Sequence, residues 1–216
     1  SDATNCSIVP LTSVPANFSY QTTDATSLPI GTPNTPATIA AGGSQSYVFA
    51  YTPTAPISEV DAELIFDCAN TDPAANTVGL NTLLLVADSD PVPDIVALAA
   101  TPSGDGIVTV SGTGVFATAT VNVGVSGAIT ASADTGSANL PQLSIALCET
   151  DPATGVCINP TVPTTGTVTT TIGANDTPTF AFFVTGTGPV PLNPAVNRIF
   201  VRFKDAGGIT RGSTSV

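Results

Sequence analysis

Glu59-Val-Asp-Ala-Glu-Leu-Ile-Phe-Asp-Cys68 alternates an acidic with an apolar side chain through its first six positions. Successive residues of a strand point to opposite faces, so Glu59, Asp61 and Glu63 project from one side and Val60, Ala62 and Leu64 from the other. The segment reads as a half-buried β-strand with an acidic outer stripe. Arg198-Ile-Phe-Val-Arg-Phe-Lys204 repeats the pattern with the opposite sign. There Arg198, Arg202 and Lys204 share a face with Phe200, leaving Ile199, Val201 and Phe203 for the core.

Working outward, the same short apolar or alternating runs recur between turn-rich sequence. Candidate strands before position 90 are 17–22, 45–51, 59–68 and 80–87. After it they are 94–100, 106–110, 114–123, 127–133, 142–148, 166–172, 178–184, 196–204 and 208–216. This spacing is that of sandwiches or barrels, and no stretch shows a capped helical period. Asp88-Ser-Asp-Pro-Val-Pro-Asp94 interrupts apolar sequence on both sides and reads as a short stiff linker. The expectation is an all-β chain of two antiparallel sandwich blocks, 1–90 and 91–216. Composition agrees: only 9% of the residues are charged while 42% are hydrophobic, a balance that builds a core and covers the surface with Thr, Ser and Asn.

Ile39-Ala-Ala-Gly-Gly-Ser-Gln-Ser-Tyr-Val-Phe-Ala-Tyr-Thr-Pro-Thr-Ala55 resembles bacterial immunoglobulin-like domains of secreted and surface proteins. In that pattern Gly42-Gly43 makes a turn, Tyr47, Phe49 and Tyr51 share one strand face, and Pro53 ends the ladder. The wider chain is similar to uncharacterised secreted proteobacterial proteins, including the segments Cys148–Cys157 and Asn197–Gly208. The resemblance implies immunoglobulin-like sandwiches and an extracellular or cell-surface location, and no activity.

Cys6, Cys68, Cys148 and Cys157 form an even set without histidine or a C-x-x-C spacing, which points to disulfides rather than zinc or redox chemistry. Cys6–Cys68 with Cys148–Cys157 is the preferred pairing, because the turn-rich residues between the last two let the chain double back. An oxidising compartment follows from such bridges. The first residue is not methionine and no charged, apolar leader precedes the chain, as expected of a mature secreted product.

The four basic residues, Arg198, Arg202, Lys204 and Arg211, all lie in the last 19 positions, whereas fifteen of the sixteen acids precede them. Residues 1–197 thus carry −15 and residues 198–216 carry four bases less Asp205, +3, which sum to the net −12. The acidic body argues against nucleic acid, and no apolar run is long enough for a membrane-spanning helix. The stripes at Glu59, Asp61, Glu63 and at Arg198, Arg202, Lys204, with Arg211 beyond them, are candidate contacts between copies of the chain. Ion pairing within one molecule is the plainer alternative. Exposed pairs contribute only about 0.2–1 kcal/mol each, so they would set register while strand contacts supply cohesion.

Asp88, Asp90 and Asp94 form a weak calcium candidate at the linker, against solvated linker acids as the simpler reading. No other metal site and no cofactor is expected. The absence of histidine, of a nucleophile elbow and of a phosphate loop argues against an enzyme. Asn5-Cys-Ser, Asn17-Phe-Ser and Asn175-Asp-Thr match the N-glycosylation triplet, so glycan modification is a further possibility. The sequence therefore supports a self-assembling extracellular structural subunit of a filament or surface layer. The alternative is an adhesive or spacer module of a surface protein that binds a host, matrix or glycan ligand.

Overall fold

The computed structural model describes all 216 residues. They contain no helix and form two compact units, Ser1–Ser89 and Asp90–Val216. In the first, β1 (Ala3–Pro10), β2 (Ala16–Thr22), β3 (Ala37–Ile39), β4 (Tyr47–Pro53), β5 (Ile57–Asp67) and β6 (Thr82–Ala87) make two antiparallel sheets, ordered β3-β1-β5-β6 and β2-β4. The alternation read in Glu59–Leu64 is realised in β5: Ala62 and Leu64 are buried while Glu59 and Asp61 are exposed.

Opposite that sheet, the β2–β4 ribbon pairs Phe18 with Tyr51 and Tyr20 with Phe49. Its aromatic face, Phe18, Tyr20, Tyr47, Phe49 and Tyr51, packs on Ile8, Leu64 and Phe66. Phe18 sits 5.0 Å from Tyr51 and Tyr20 6.0 Å from Tyr47, centroid to centroid. The tyrosines are thereby absorbed by a core and by cross-strand pairs. Gly42 takes a left-handed φ of 74° in the turn before β4, and Pro53 is the last residue of β4. Ser7 lies opposite Asp67 across β1 and β5, so Cys6 and Cys68 meet one step further on and are bridged, with their Cα atoms 3.9 Å apart.

The second unit has nine strands: β7 (Ile95–Ala100), β8 (Thr113–Asn122), β9 (Gly127–Asp134), β10 (Leu143–Thr150), β11 (Cys157–Thr164), β12 (Val168–Ile172), β13 (Thr179–Gly186), β14 (Phe200–Asp205) and β15 (Thr210–Ser215). They form a five-stranded sheet, β11-β10-β13-β8-β7, and a four-stranded sheet, β12-β9-β14-β15. The chain changes sheet from β8 to β9 and again from β13 to β14, while β8 pairs β13 and β9 pairs β14. That interlocked crossing is the Greek-key arrangement of immunoglobulin-like sandwiches.

Between the sheets lies a core that includes Phe116, Ile129, Leu147, Phe180, Phe182, Val184, Ile199, Val201 and Phe203. Phe116 stacks on Phe182 at 4.7 Å, and Phe180 meets Phe203 from the facing sheet at 5.3 Å. Cys148–Cys157 ties β10 to β11. Glu149 accepts bonds from Asn159 Nδ2 and from Thr170 Oγ1, linking β10 to β11 and β12. At Gly212 a Cβ would collide with the Ile95 carbonyl, so glycine lets β15 approach β7 closely.

Three expectations are corrected. Residues 106–110 are not a strand: Gly104, Gly106 and Gly112 all adopt left-handed φ, and the Asp105 carboxylate holds the Ile107 N–H and the Ser103 hydroxyl in a loop. β11 is a strand that Pro160 and Pro163 argue against, but it lies at a sheet edge, where a missing N–H is tolerated. β1, whose apolar pattern is thin, is an inner strand between β3 and β5.

Buried Asn122 ends β8 as a hydrogen-bond hub. Its Oδ1 accepts the Asp94 and Gly124 N–H groups, each at 3.0 Å, and its Nδ2 donates to the Val125 and Ile172 carbonyls. Every polar valence of the amide is used. Replacing it leaves four backbone groups without partners, so Asn122→Ala is expected to destabilise the unit by about 2–4 kcal/mol, measured as a lower midpoint in urea.

Candidate assembly surfaces

The basic strand β14 is an inner strand, flanked by β9 and β15. As the alternation requires, Val201 and Phe203 are fully buried and Ile199 nearly so, while Arg202 and Lys204 on the other face are half-buried, as is Arg198 just before the strand. Two of the four basic residues have carboxylate partners inside the same unit. Arg202 Nε donates to Asp134 Oδ2 at 2.8 Å and its guanidinium lies over Phe200, 5.1 Å from the ring centre. Arg211 Nε donates to Asp205 Oδ2 at 2.7 Å across the β14–β15 turn.

This second pair is buried: the side chains of Arg211 and Asp205 are only 4% and 15% exposed. Burial alone would raise the Asp205 pKa. Arg211 and the N–H groups of Ile209 and Gly207 outweigh burial and hold it below the ordinary carboxylate value. Arg198 donates to Ser215 Oγ at 3.2 and 2.7 Å and to the Pro194 carbonyl, all neutral acceptors. Burial lowers its pKa. Lys204 makes no ion pair. On the acidic side, Glu63 accepts a bond from Asn76 and Asp61 is exposed.

No group of three or more His, Cys, Asp or Glu side chains is placed to hold a metal ion. The aspartates with lowered pKa elsewhere cap their own turns. Asp24 accepts from Thr26 and Leu28, and Asp151 from Thr154 and Ala153. The glycosylation-triplet residues Asn5, Asn17 and Asn175 are all exposed. Both terminal strands, β1 and β15, pair inside their own units.

A surface absent from the sequence reading lies on the outside of the five-stranded sheet. Register places Leu98, Ala119, Thr179 and Thr150 in one row across β7, β8, β13 and β10. The next rows are Ala100, Ala117, Ala181, Cys148 and then Val115, Phe183, Ala146. Val96 faces Val121 at one end. No charged residue occurs on this face, and Leu98, Val96 and Val115 are 71%, 56% and 44% exposed.

After Thr113 at its start, the outward set of β8 is apolar, Val115, Ala117 and Ala119, whereas its inward set includes Phe116, Thr118, Thr120 and Asn122. Threonine thus faces the interior and alanine faces water, the reverse of the usual half-buried strand. Thr120 donates inward to the Pro178 carbonyl, while Thr118 Oγ1 is buried without a partner. The sequence signal was Thr113–Asn122 itself. Its alternation is plain, but which half faces the core follows only from the sheet that packs against it.

No helix is long and apolar enough to cross a membrane. No family model and no curated protein matches the chain. Among solved structures, the crystal structure of BcpA, the major pilin subunit of Bacillus cereus, is similar at 12% identity and a TM-score of 0.27. The likeness covers 93% of this chain and 62% of that one, so the chain spans less than two thirds of the pilin's length. The superposition is too loose to transfer a property from one protein to the other.

Proposed function

We propose that the chain is a non-enzymatic, extracytoplasmic structural protein that assembles with copies of itself. The observation that carries this reading is the uncharged outer face of the five-stranded sheet, with Leu98, Val96, Val115, Phe183 and a floor of alanines. An acidic protein that places apolar residues outward and threonines inward on one strand has a surface suited to burial. Small residues keep the face flat, so a second sheet could approach to about the 10 Å of stacked sheets.

Magnitude limits what the face does alone. On β10 the face is already covered at Cys148 and Thr150, so three strands over nine residues offer about 14 by 27 Å, roughly 400 Å² per copy. Two such faces bury roughly 800 Å², short of the roughly 1,200 Å² at which specific contacts begin, so the face needs a further contact beside it. Pairing of the face with itself closes a two-fold dimer, and continuous growth needs a second, different contact. The charge asymmetry supplies a candidate: Lys204 and the basic end against Glu59, Asp61 and Glu63 of another copy. The two disulfides suit an oxidising, secreted or surface location.

Negative-stain microscopy of the purified chain across protein concentration and salt tests the reading. Dimers that persist in salt, and longer polymers that weaken in it, are expected; monodisperse monomers under every condition contradict the reading.

A further inference from the structure

A cavity of about 340 Å³ opens at one end of the second unit's sandwich. Val184 and Leu143 of the five-stranded sheet form one wall, and Ile199 and Val216 beside the four-stranded sheet form the other, so the cavity reaches between the sheets. Val108 and Val110 of the loop before β8 close it from a third side, and the proline-rich segment 188–194 forms the rim. Arg198 is the sole ionisable side chain in its lining. Three of the five guanidinium N–H groups go to Ser215 Oγ and the Pro194 carbonyl, one remains on each terminal nitrogen, and no ion pair is made. Although acids outnumber bases by 16 to 4, Arg198 and Lys204 make no ion pair, and of the two only Arg198 lines a cavity.

An apolar cavity with one polar group at its wall is the ordinary form of a small-molecule site, and its volume falls at the lower end of the usual range of about 300–1,000 Å³. A guanidinium without a counter-ion selects a carboxylate, which its planar donors can hold in two parallel bonds. We propose that this cavity binds a medium-chain aliphatic carboxylate, the tail between the sheets and the head group on Arg198. Burial in the cavity drives the tail in, and the charge decides which head group is accepted. The site is separate from the uncharged sheet face and does not depend on assembly.

Isothermal titration calorimetry with hexanoate, octanoate and decanoate, each matched with its alcohol, tests the site. Saturable one-to-one binding is expected, strengthening about fourfold per added methylene until the cavity is filled. The carboxylate is expected to bind at least tenfold more tightly than the alcohol of equal length. Arg198→Gln should remove that preference and leave alcohol binding unchanged. Val108→Phe, which narrows the cavity, should weaken acid and alcohol together. Circular dichroism melting confirms that each variant is folded, and Arg198→Lys should keep part of the preference if the other substitution unfolds the unit. No saturable binding by the wild-type chain, or a carboxylate preference that survives in folded Arg198→Gln, overturns the proposal.

Discussion

Removing the Cys6–Cys68 bridge, as in a Cys6→Ser, Cys68→Ser double variant, is expected to cost the first unit about 4 kcal/mol and about 20 °C of melting temperature. The bridge spans 62 residues of an 89-residue unit, and constraining so long a loop in the unfolded chain supplies that much in the chain-entropy account. The unit has little to fall back on. Its buried cluster consists of Ile8, Tyr20 and Leu64 with partly exposed aromatics around them. Tyr51 Oη, Asp67 Oδ1 and Asn76 Oδ1 are buried there without hydrogen-bond partners. A total of about 5–15 kcal/mol is typical of a whole domain, so the loss is a large share. Segment-resolved amide exchange should show protection collapsing from β1 to β6. The Cys148–Cys157 bridge closes only 9 residues beside a far larger core, and its loss is expected to cost less, about 2–3 kcal/mol.

The second large effect belongs to Arg211. Arg211→Ala strands the Asp205 carboxylate in a largely buried turn, and breaking a buried pair from one side costs about 3 kcal/mol or more. For a unit of this size the melting temperature should fall by about 10 °C. Replacing Arg202 should cost under about 1 kcal/mol, because its partner Asp134 is 43% exposed and solvent screens the pair. Acid should expose the same difference. The Asp205 pKa is lower in the folded chain, so the unfolded chain binds the proton more tightly. The stabilisation is fully present above the unfolded carboxylate value near 3.9 and is lost as pH falls through the lower folded value. Wild-type stability measured from pH 6 to pH 2 should fall more steeply than that of an Asp205→Asn, Arg211→Met variant, in which the pair is gone.

The sequence was most legible where one strand carries a charged stripe and an apolar one. Glu59–Leu64 and Arg198–Lys204 show their core residues directly, because charge cannot be buried without a partner. The disulfide partners were legible as well: a turn-rich segment of eight residues between Cys148 and Cys157 leaves them near one another. β11 was hidden because proline normally argues against a strand, and only a sheet edge removes that objection. The 106–110 loop reads as a strand by its apolar residues, but the glycines on either side of Asp105 decide otherwise through their backbone conformation.

The surface features were less legible. Arg202 and Arg211 find Asp134 and Asp205 by strand register and by a turn, neither of which spacing alone reveals. The uncharged face is built from residues of β7, β8, β13 and β10, up to 87 positions apart in sequence between Val96 and Phe183. On β8 the inward half is the polar one, so a reading that sends apolar residues to the core inverts the strand. Only the pairing of four strands turns scattered alanines into a surface.

Sedimentation velocity of the wild-type chain beside an Ala117→Lys variant tests the central claim most directly. Ala117 lies in the middle of the face, between Ala100 and Ala181, and is exposed. A lysine there leaves the fold intact and places a charge where a second sheet would pack. The wild-type chain is expected to sediment as dimers or larger species that grow with concentration, and Ala117→Lys as a monomer with an unchanged melting temperature. A monomeric wild-type chain at all concentrations, or association undiminished in Ala117→Lys, would contradict it.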